Sequence, residues 1–475
     1  MTMIDSSRRW RRVAVVAAGA AASIALSAGS VPPATAAERT DPFVEMTPAL
    51  QAQIQQMVTE FQTAHGLPGL SVAVVTSGST APDPVITTFA VGVPTIGASA
   101  PVDASTQFEL GSETKAFTAD LLSYLVASNR VSLDDPVQLH APAGVTVPTW
   151  TDPGTGTTTV ITLRDLATHQ AALPDVPTNF QDGCTGVPDC VNPHPGYTQT
   201  MLWDGIEQQS LLWQPGTRWM YSNWGFGLLG TILANIIHPV PISEPPAYQT
   251  ALDGAFLHAL GMTSTMLETP GPRLATPYAA SGAPTYYWDN TNAISGAGGL
   301  ISDATDMAAW AAAHLGYTHE SAPLGVRSMA DTLHPVSTIT TMCTSASQCH
   351  PSEFQMGLGW QLYSAGTDHM GAPWAFKNGG TAGFSTDTAL APSLRTGVST
   401  MFNKERVGDE QLAVPILALL VANQTKPAHD GEHPAHRQAL ADSGDAASDL
   451  IVPGLAAGVL LAVGGLLIAR RRRAA

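Results

Sequence analysis

The chain has 475 residues, with 21 basic against 38 acidic side chains and a formal net charge of −17. Polyanions demand a basic face, so this balance excludes nucleic-acid binding. Between two apolar ends lie about 390 residues, Thr40 to Lys426, which suit one large two-lobed domain or two domains.

The first forty residues carry Arg8, Arg9, Arg11 and Arg12, then an apolar run from Val13 to Ala28, then Ala34-Thr35-Ala36. That order predicts a secretory signal peptide over 1–36, and Ser7-Arg8-Arg9 leaves the twin-arginine route open beside general secretion. In chain order, Ala49 to His65 sets Leu50, Ile54, Met57, Val58 and Phe61 on one helical face. Leu70 to Val75 and Val85 to Val91 read as strands, and Gln107 to Leu110 as a strand leading to an apolar helix, Ala116 to Ala127.

A helix-rich middle follows, with candidates at Leu163 to Thr168, Gly225 to Ile237, Ala247 to Leu260 and Asp303 to Leu315. Thr386 to Ala391 and Gly397 to Phe402 read as strands joined across Pro392-Ser393, and Gln411 to Ala422 as a closing helix. Residues 426–449, rich in Pro, His, Gly, Asp and Ala, read as a flexible linker. Leu450 to Ala469 is a twenty-residue apolar run before Arg470 to Arg473. It is long enough for a transmembrane helix, with the basic tail 470–475 in the cytoplasm and the rest of the chain outside. Leu440-Ala441-Asp442-Ser443-Gly444 resembles a sorting signal, so cell-wall attachment by a sortase is the alternative to a membrane anchor. Without both ends, 13 basic residues face 37 acidic ones, the balance of a soluble secreted surface.

The fold class expected is α+β. An antiparallel sheet, built from both ends of a domain over 38–425 and flanked by helices, takes an inserted helical lobe over roughly 117–290, and one C-terminal transmembrane helix follows. Cys184 with Cys190 and Cys343 with Cys349 fall as local pairs in Pro, Gly and Ser-rich stretches. In an exported chain that spacing suggests two loop-closing disulfides, although the cysteines allow other pairings. The spacing to His194 and His350 matches no zinc pattern, so no metal is expected.

Three short segments carry chemistry. In Gly111-Ser112-Glu113-Thr114-Lys115 the serine and lysine are one helical turn apart, which brings a hydroxyl to an amine. A close base is what makes serine a nucleophile. Only Lys115, Lys377, Lys404 and Lys426 among the basic residues are lysines. Arginine cannot give up its proton, whereas a buried ammonium can be tuned into a base. Tyr221-Ser222-Asn223 sets a phenol and an amide at a helix entry, and Lys377-Asn378-Gly379-Gly380-Thr381 lets backbone approach a ligand.

In this order and spacing the three segments resemble the serine β-lactamase and penicillin-binding protein family, most closely class C β-lactamases and their DD-peptidase relatives. Phe108-Glu109-Leu110-Gly111-Ser112, Leu166-Ala167-Thr168-His169 with Leu173-Pro174, and Ala297 to Ser302 are similar to family segments as well. The resemblance covers nearly all of the domain and implies the β-lactamase/transpeptidase-like fold. It implies Ser112 as the nucleophile, with Lys115 and Tyr221 sharing general-base work. Asn223 would bond the acyl side-chain amide, and Lys377 would keep Tyr221 acidic and attract the substrate carboxylate. The amides of Ser112 and Gly380 would form the oxyanion hole. Asn378, Gly379, Thr381 and Asn403 would line the substrate. No metal or organic cofactor is needed.

Asn378 departs from the family, which has Thr or Ser there to help hold the carboxylate. Glu113 is expected as a solvent-facing helix residue without a role, and His169 as structural. The substrates implied are cell-wall D-alanyl-D-alanine peptides or β-lactams, on the outer face of the membrane or in the wall. An esterase of the same fold and a non-catalytic penicillin-binding surface protein are the alternatives.

Overall fold

Strand β1 (Gly69–Thr76) is buried along its whole length, because successive side chains enter different cores. Leu70, Val72 and Val74 join one apolar cluster, and Ala73 and Val75 the other. The computed structural model describes residues 42–425, except the short segments 78–82, 187–189, 191, 193, 268–270, 289–290, 368–369 and 407–410.

The chain opens with helix α1 (Pro48–His65), capped by the Thr47 hydroxyl on Leu50 N, and continues through β1 and β2 (Val85–Gly92). Strand β3 (Phe108–Glu109) leads through a tight turn, Gly111–Glu113, into α2 (Thr114–Ala127). The ribbon β4 (Trp150–Thr151) and β5 (Thr158–Thr159) precedes α3 (Leu163–Ala167) and α4 (Gln199–Gln208). Strand β6 (Trp219–Met220) enters α5 (Asn223–Ile237), followed by α6 (Tyr248–Leu252) and α7 (His258–Leu260). Then come β7 (Ile301–Ser302), α8 (Ala304–His314) and α9 (Leu324–Arg327). The last part holds β8 (Ser337–Ser345), β9 (Gln348–Met356), β10 (Gln361–Tyr363), β11 (Trp374–Gly380), β12 (Ser385–Ala391), β13 (Thr396–Phe402) and α10 (Ala413–Ala422).

The main sheet runs β2-β1-β13-β12-β11-β10-β9-β8-β6, so strands from both ends of the described chain pair, β1 with β13, one strand in from its β2 edge. One face packs on α1 and α10 through residues such as Ile54, Trp374, Phe376 and Leu417. The other meets the helical lobe through Phe117, Trp224, Phe226 and Trp310. This is the expected α+β architecture with its inserted lobe.

One part of the expected fold class is corrected. Among the described residues no helix is long and apolar enough to cross a membrane, so the C-terminal transmembrane helix is not part of the fold. The run 450–469, like the signal peptide, linker and tail, lies outside the described residues.

Both expected disulfides are present, Cys184–Cys190 and Cys343–Cys349. The second clips a β-hairpin instead of a loop, since Cys343 and Cys349 are cross-strand partners in β8 and β9. Strands so rich in Ser, Thr and Gln lack the apolar alternation that marks a strand in sequence. Lys377, expected just before the closing strands, stands inside β11.

Candidate active site

Ser112 lies in the 111–113 turn at the foot of α2, and that turn packs against the end of β11 at Gly379 and Gly380. The turn fits only because of two glycines. Gly111 adopts φ +52°, and a Cβ there would stand 2.6 Å from Gly380 N. A Cβ on Gly379 would stand 1.9 Å from Leu110 O. Gly379, expected to touch substrate, is therefore filled from behind by the nucleophile turn, whereas the backbone of Gly380 abuts that of Gly111.

Around the Ser112 hydroxyl the structure brings together three of the expected residues. Lys115 Nζ is 3.1 Å from Ser112 Oγ, and the Tyr221 hydroxyl donates to the same Oγ at 2.6 Å. Nζ also meets Asn223 Oδ1 and the Ala297 carbonyl oxygen, each at 2.6 Å. A neutral amine has two hydrogens and one lone pair. Two carbonyl oxygens take the hydrogens, which leaves the lone pair for the Ser112 hydroxyl.

Electrostatics favour that neutral form. Burial, and then the positive charge of Lys377, hold the Lys115 ammonium well below the usual lysine range. Tyr221 moves the other way: burial pushes its phenol above the ordinary tyrosine value, and nothing from Lys377 offsets it. The expectation that Lys377 keeps Tyr221 acidic is not met: desolvation of the buried phenolate outweighs the hydrogen bond to Ser112, and the charge of Asp175 adds to the rise. Lys377 itself is brought down to about 8 by burial, and its ammonium donates to the Asn378 carbonyl oxygen at 2.5 Å.

Several expected substrate contacts are used inside the protein. Asn403 is completely buried: Oδ1 accepts from Gly69 N at 2.7 Å, and Nδ2 donates to the carbonyls of Pro94 and Thr276 at 2.9 and 3.0 Å. Its amide ties β1 and two loops together, so no donor is left for a substrate carboxylate. Thr381 is buried, with its hydroxyl beside the Glu109 carboxylate. Asn223 lines the cleft, but Oδ1 holds Lys115 and Nδ2 donates to Asp175 at 2.9 Å, which makes it an orienter of the base rather than a free amide. Asn378 follows Lys377 on β11, and strand alternation turns it to the opposite face.

Sequence reading missed Asp175. Its Oδ1 accepts from both Asn223 N and Asn223 Nδ2, fixing which end of that amide faces Lys115. Its place after Leu173-Pro174, inside a segment already noted, was the available signal. Glu113, expected at the surface, is completely buried. His169 is structural as expected. Its Nδ1 accepts from Ser222 N at 3.1 Å, its ring lies 4.6 Å from that of Tyr221, and burial keeps it neutral. Beside Asn223 opens a small cleft walled by Val176, Phe180, Ile294 and a His194–Trp288 stack at 4.5 Å. Among the described residues no group of His, Cys, Asp and Glu could hold a metal ion.

Known proteins carry the same frame. The model of the Beta-lactamase family matches residues 54–441. The D-alanyl-D-alanine-carboxypeptidase/endopeptidase AmpH of Escherichia coli K12 is 29% identical over 287 residues, spanning 60% of this chain and 68% of AmpH. A beta-lactamase of Lysobacter lactamgenus is 28% identical over 229 residues, 48% of this chain and 50% of its own. Among solved structures, the beta-lactamase/D-alanine carboxypeptidase of Pseudomonas syringae superposes with a TM-score of 0.59 at 22% identity, over 78% of this chain and 98% of that one. The chain belongs to the Beta-lactamase family of serine hydrolases.

Proposed function

We propose that the chain is an exported hydrolase that forms an acyl-enzyme through Ser112 and acts on D-alanyl-D-alanine peptides or β-lactams. The observation that carries this reading is the Ser112 hydroxyl held between Lys115 Nζ at 3.1 Å and the Tyr221 hydroxyl at 2.6 Å. Neutral Lys115 takes the serine proton as Oγ attacks the substrate carbonyl. Tyr221, protonated at rest, passes its proton to the leaving nitrogen and is reprotonated from Lys115. The amides of Ser112 and Gly380 hold the oxyanion, a contribution of roughly 3 kcal/mol per donor. Water then releases the acyl group by the reverse relay.

The apolar cleft beside Asn223 would seat the acyl side chain. Similarity to AmpH supports a peptide substrate. Export is supported by two disulfides, which persist in oxidising compartments. Parallel turnover of a chromogenic cephalosporin and a D-alanyl-D-alanine peptide tests the substrate; turnover of neither refutes it.

One observation favours a second reading, an esterase. Asn403 is withdrawn into the fold, and Asn378 stands where a hydroxyl would help hold a carboxylate. A substrate without a carboxylate loses least by this. Short acyl esters turned over faster than both other substrates would establish it.

A further inference from the structure

Tyr221 is the first residue after β6, and β6 is a two-residue strand at the end of the main sheet. Two backbone partners hold it. Met220 N donates to the His169 carbonyl oxygen at 2.9 Å, and on the sheet side Trp219 and Met220 pair in parallel with Met342 and Cys343 of β8. A strand this short has little cohesion of its own, so the aim of Tyr221 depends on how firmly β8 is fixed.

At this point the ladder of β8 with β9 is weak. Its register shifts between Ile339 and Thr341 and again between Cys343 and Ser345, so Met342 and Cys343 lie between two irregularities. Thr341 faces Pro351, which has no N–H to give to the ladder. Apolar packing is thin as well: Trp219, Ile339, Met342 and Met356 form a small cluster apart from the two main cores, with Tyr221 and Phe354 packed on it. The firm link is covalent. Cys343 is buried opposite Cys349, and their disulfide closes the hairpin at the residue that pairs with Met220. Cys349 Sγ also lies 4.0 Å from Nη1 of Arg218, the residue before β6. The bend after Cys343 lines a cleft together with Tyr221 and Asp175, so the hairpin reaches the site itself.

We propose that Cys343 and Cys349 are positioning residues that act through Tyr221: their disulfide fixes the stretch of β8 that holds β6, and so keeps the Tyr221 hydroxyl aimed at Ser112 Oγ. This rests on reading Tyr221 as the proton relay of acylation. The 2.6 Å contact is short and directional, and proton transfer through it suffers from small misplacements. With the disulfide open, Met342 and Cys343 are held by an irregular ladder, and β6 moves with them. Lys115 and Asn223 stand on α2 and α5, which are anchored in the main core by Phe117, Trp224 and Phe226, and they keep their places. The defect therefore falls on the step that Tyr221 serves, protonation of the leaving group.

The test uses the full chain carrying Cys184→Ser and Cys190→Ser, in which a water-soluble phosphine opens only the Cys343–Cys349 bond. Matched amide and ester substrates are turned over before and after reduction, with and without Tyr221→Phe. Opening the bond is expected to lower kcat about tenfold on the amide and about twofold on the ester, with little change in KM. In the Tyr221→Phe protein reduction is expected to leave the amide-to-ester ratio alone, because the group being positioned is gone. Equal losses on both substrates, the same change of ratio in Tyr221→Phe, or full activity after reduction overturns the proposal. Hydrogen exchange gives a reading without turnover: reduction is expected to speed exchange of the 219–222 amides roughly tenfold and to leave α2 unchanged. Should the reduced protein unfold, the oxidised wild type decides, and Met220 and Ser222 amides that exchange as fast as an exposed loop overturn the proposal. Faster exchange at 219–222 in a protein whose amide-to-ester ratio ignores Tyr221→Phe supports the clamp and refutes the relay reading.

Discussion

Lys115 Nζ reaches Ser112 Oγ at 3.1 Å with both of its other contacts, Asn223 Oδ1 and the Ala297 carbonyl, acting as acceptors. Arginine at 115 keeps a positive charge but cannot accept a proton. Lys115→Arg is therefore expected to slow acyl-enzyme formation by roughly 10³-fold while the protein stays folded, measured by stopped-flow acylation and circular dichroism. The pH dependence has a definite sign. The folded pKa of Lys115 lies below its ordinary value, so the base form is present above that folded pKa, and wild-type acylation falls as pH drops through it.

Tyr221→Phe removes the 2.6 Å bond to Ser112 but keeps the ring that packs on His169 and lies 4.8 Å from Lys115 Nζ. Acylation is expected to fall by roughly 10²-fold, with a larger loss for amide substrates than for esters, whose leaving groups need less help from an acid. Matched amide and ester substrates check this. Equal losses on the two would argue against a proton relay through Tyr221.

Asp175 orients the Asn223 amide, and its charge opposes the lowering of Lys115. Asp175→Asn keeps an acceptor for that amide but removes the charge. The acid limb of kcat/KM is expected to move to lower pH. Asp175→Ala also frees Asn223 to rotate, and is expected to lower kcat about tenfold or more with little change in KM.

Asn403→Ala leaves Gly69 N and the carbonyls of Pro94 and Thr276 without their buried partner. The expected loss is about 3 kcal/mol of stability in denaturant unfolding, with KM unchanged in the folded protein. A raised KM with unchanged stability would restore Asn403 to the substrate site.

The nucleophile, its two proton-handling partners and the central sheet were legible in the sequence because each leaves a local trace. Ser112 and Lys115 are one turn apart, Tyr221 stands at a helix entry, and β1 is an almost continuous apolar run. What was not legible depends on neighbours far along the chain. Glu113 looks like any exposed helix residue until β11 and β12 close over it. Asn403 has the residue type of a ligand contact, yet Gly69, Pro94 and Thr276, each over 100 residues away, take its amide. The β8–β9 hairpin escaped because its strands are mostly Ser, Thr, Gln and other polar residues, and the few apolar ones that it buries, Ile339, Met342 and Met356, do not alternate in sequence. The ionisation of Tyr221 was misjudged for a related reason: charge partners can be guessed from motifs, whereas burial cannot.

The most direct measurement is mass spectrometry of the protein after brief exposure to fluorescent penicillin, with digestion to locate the label. The account predicts one acyl group on the peptide that carries Ser112 in wild type and none in Ser112→Ala. Equal labelling of both proteins, or a label on any other residue, contradicts it.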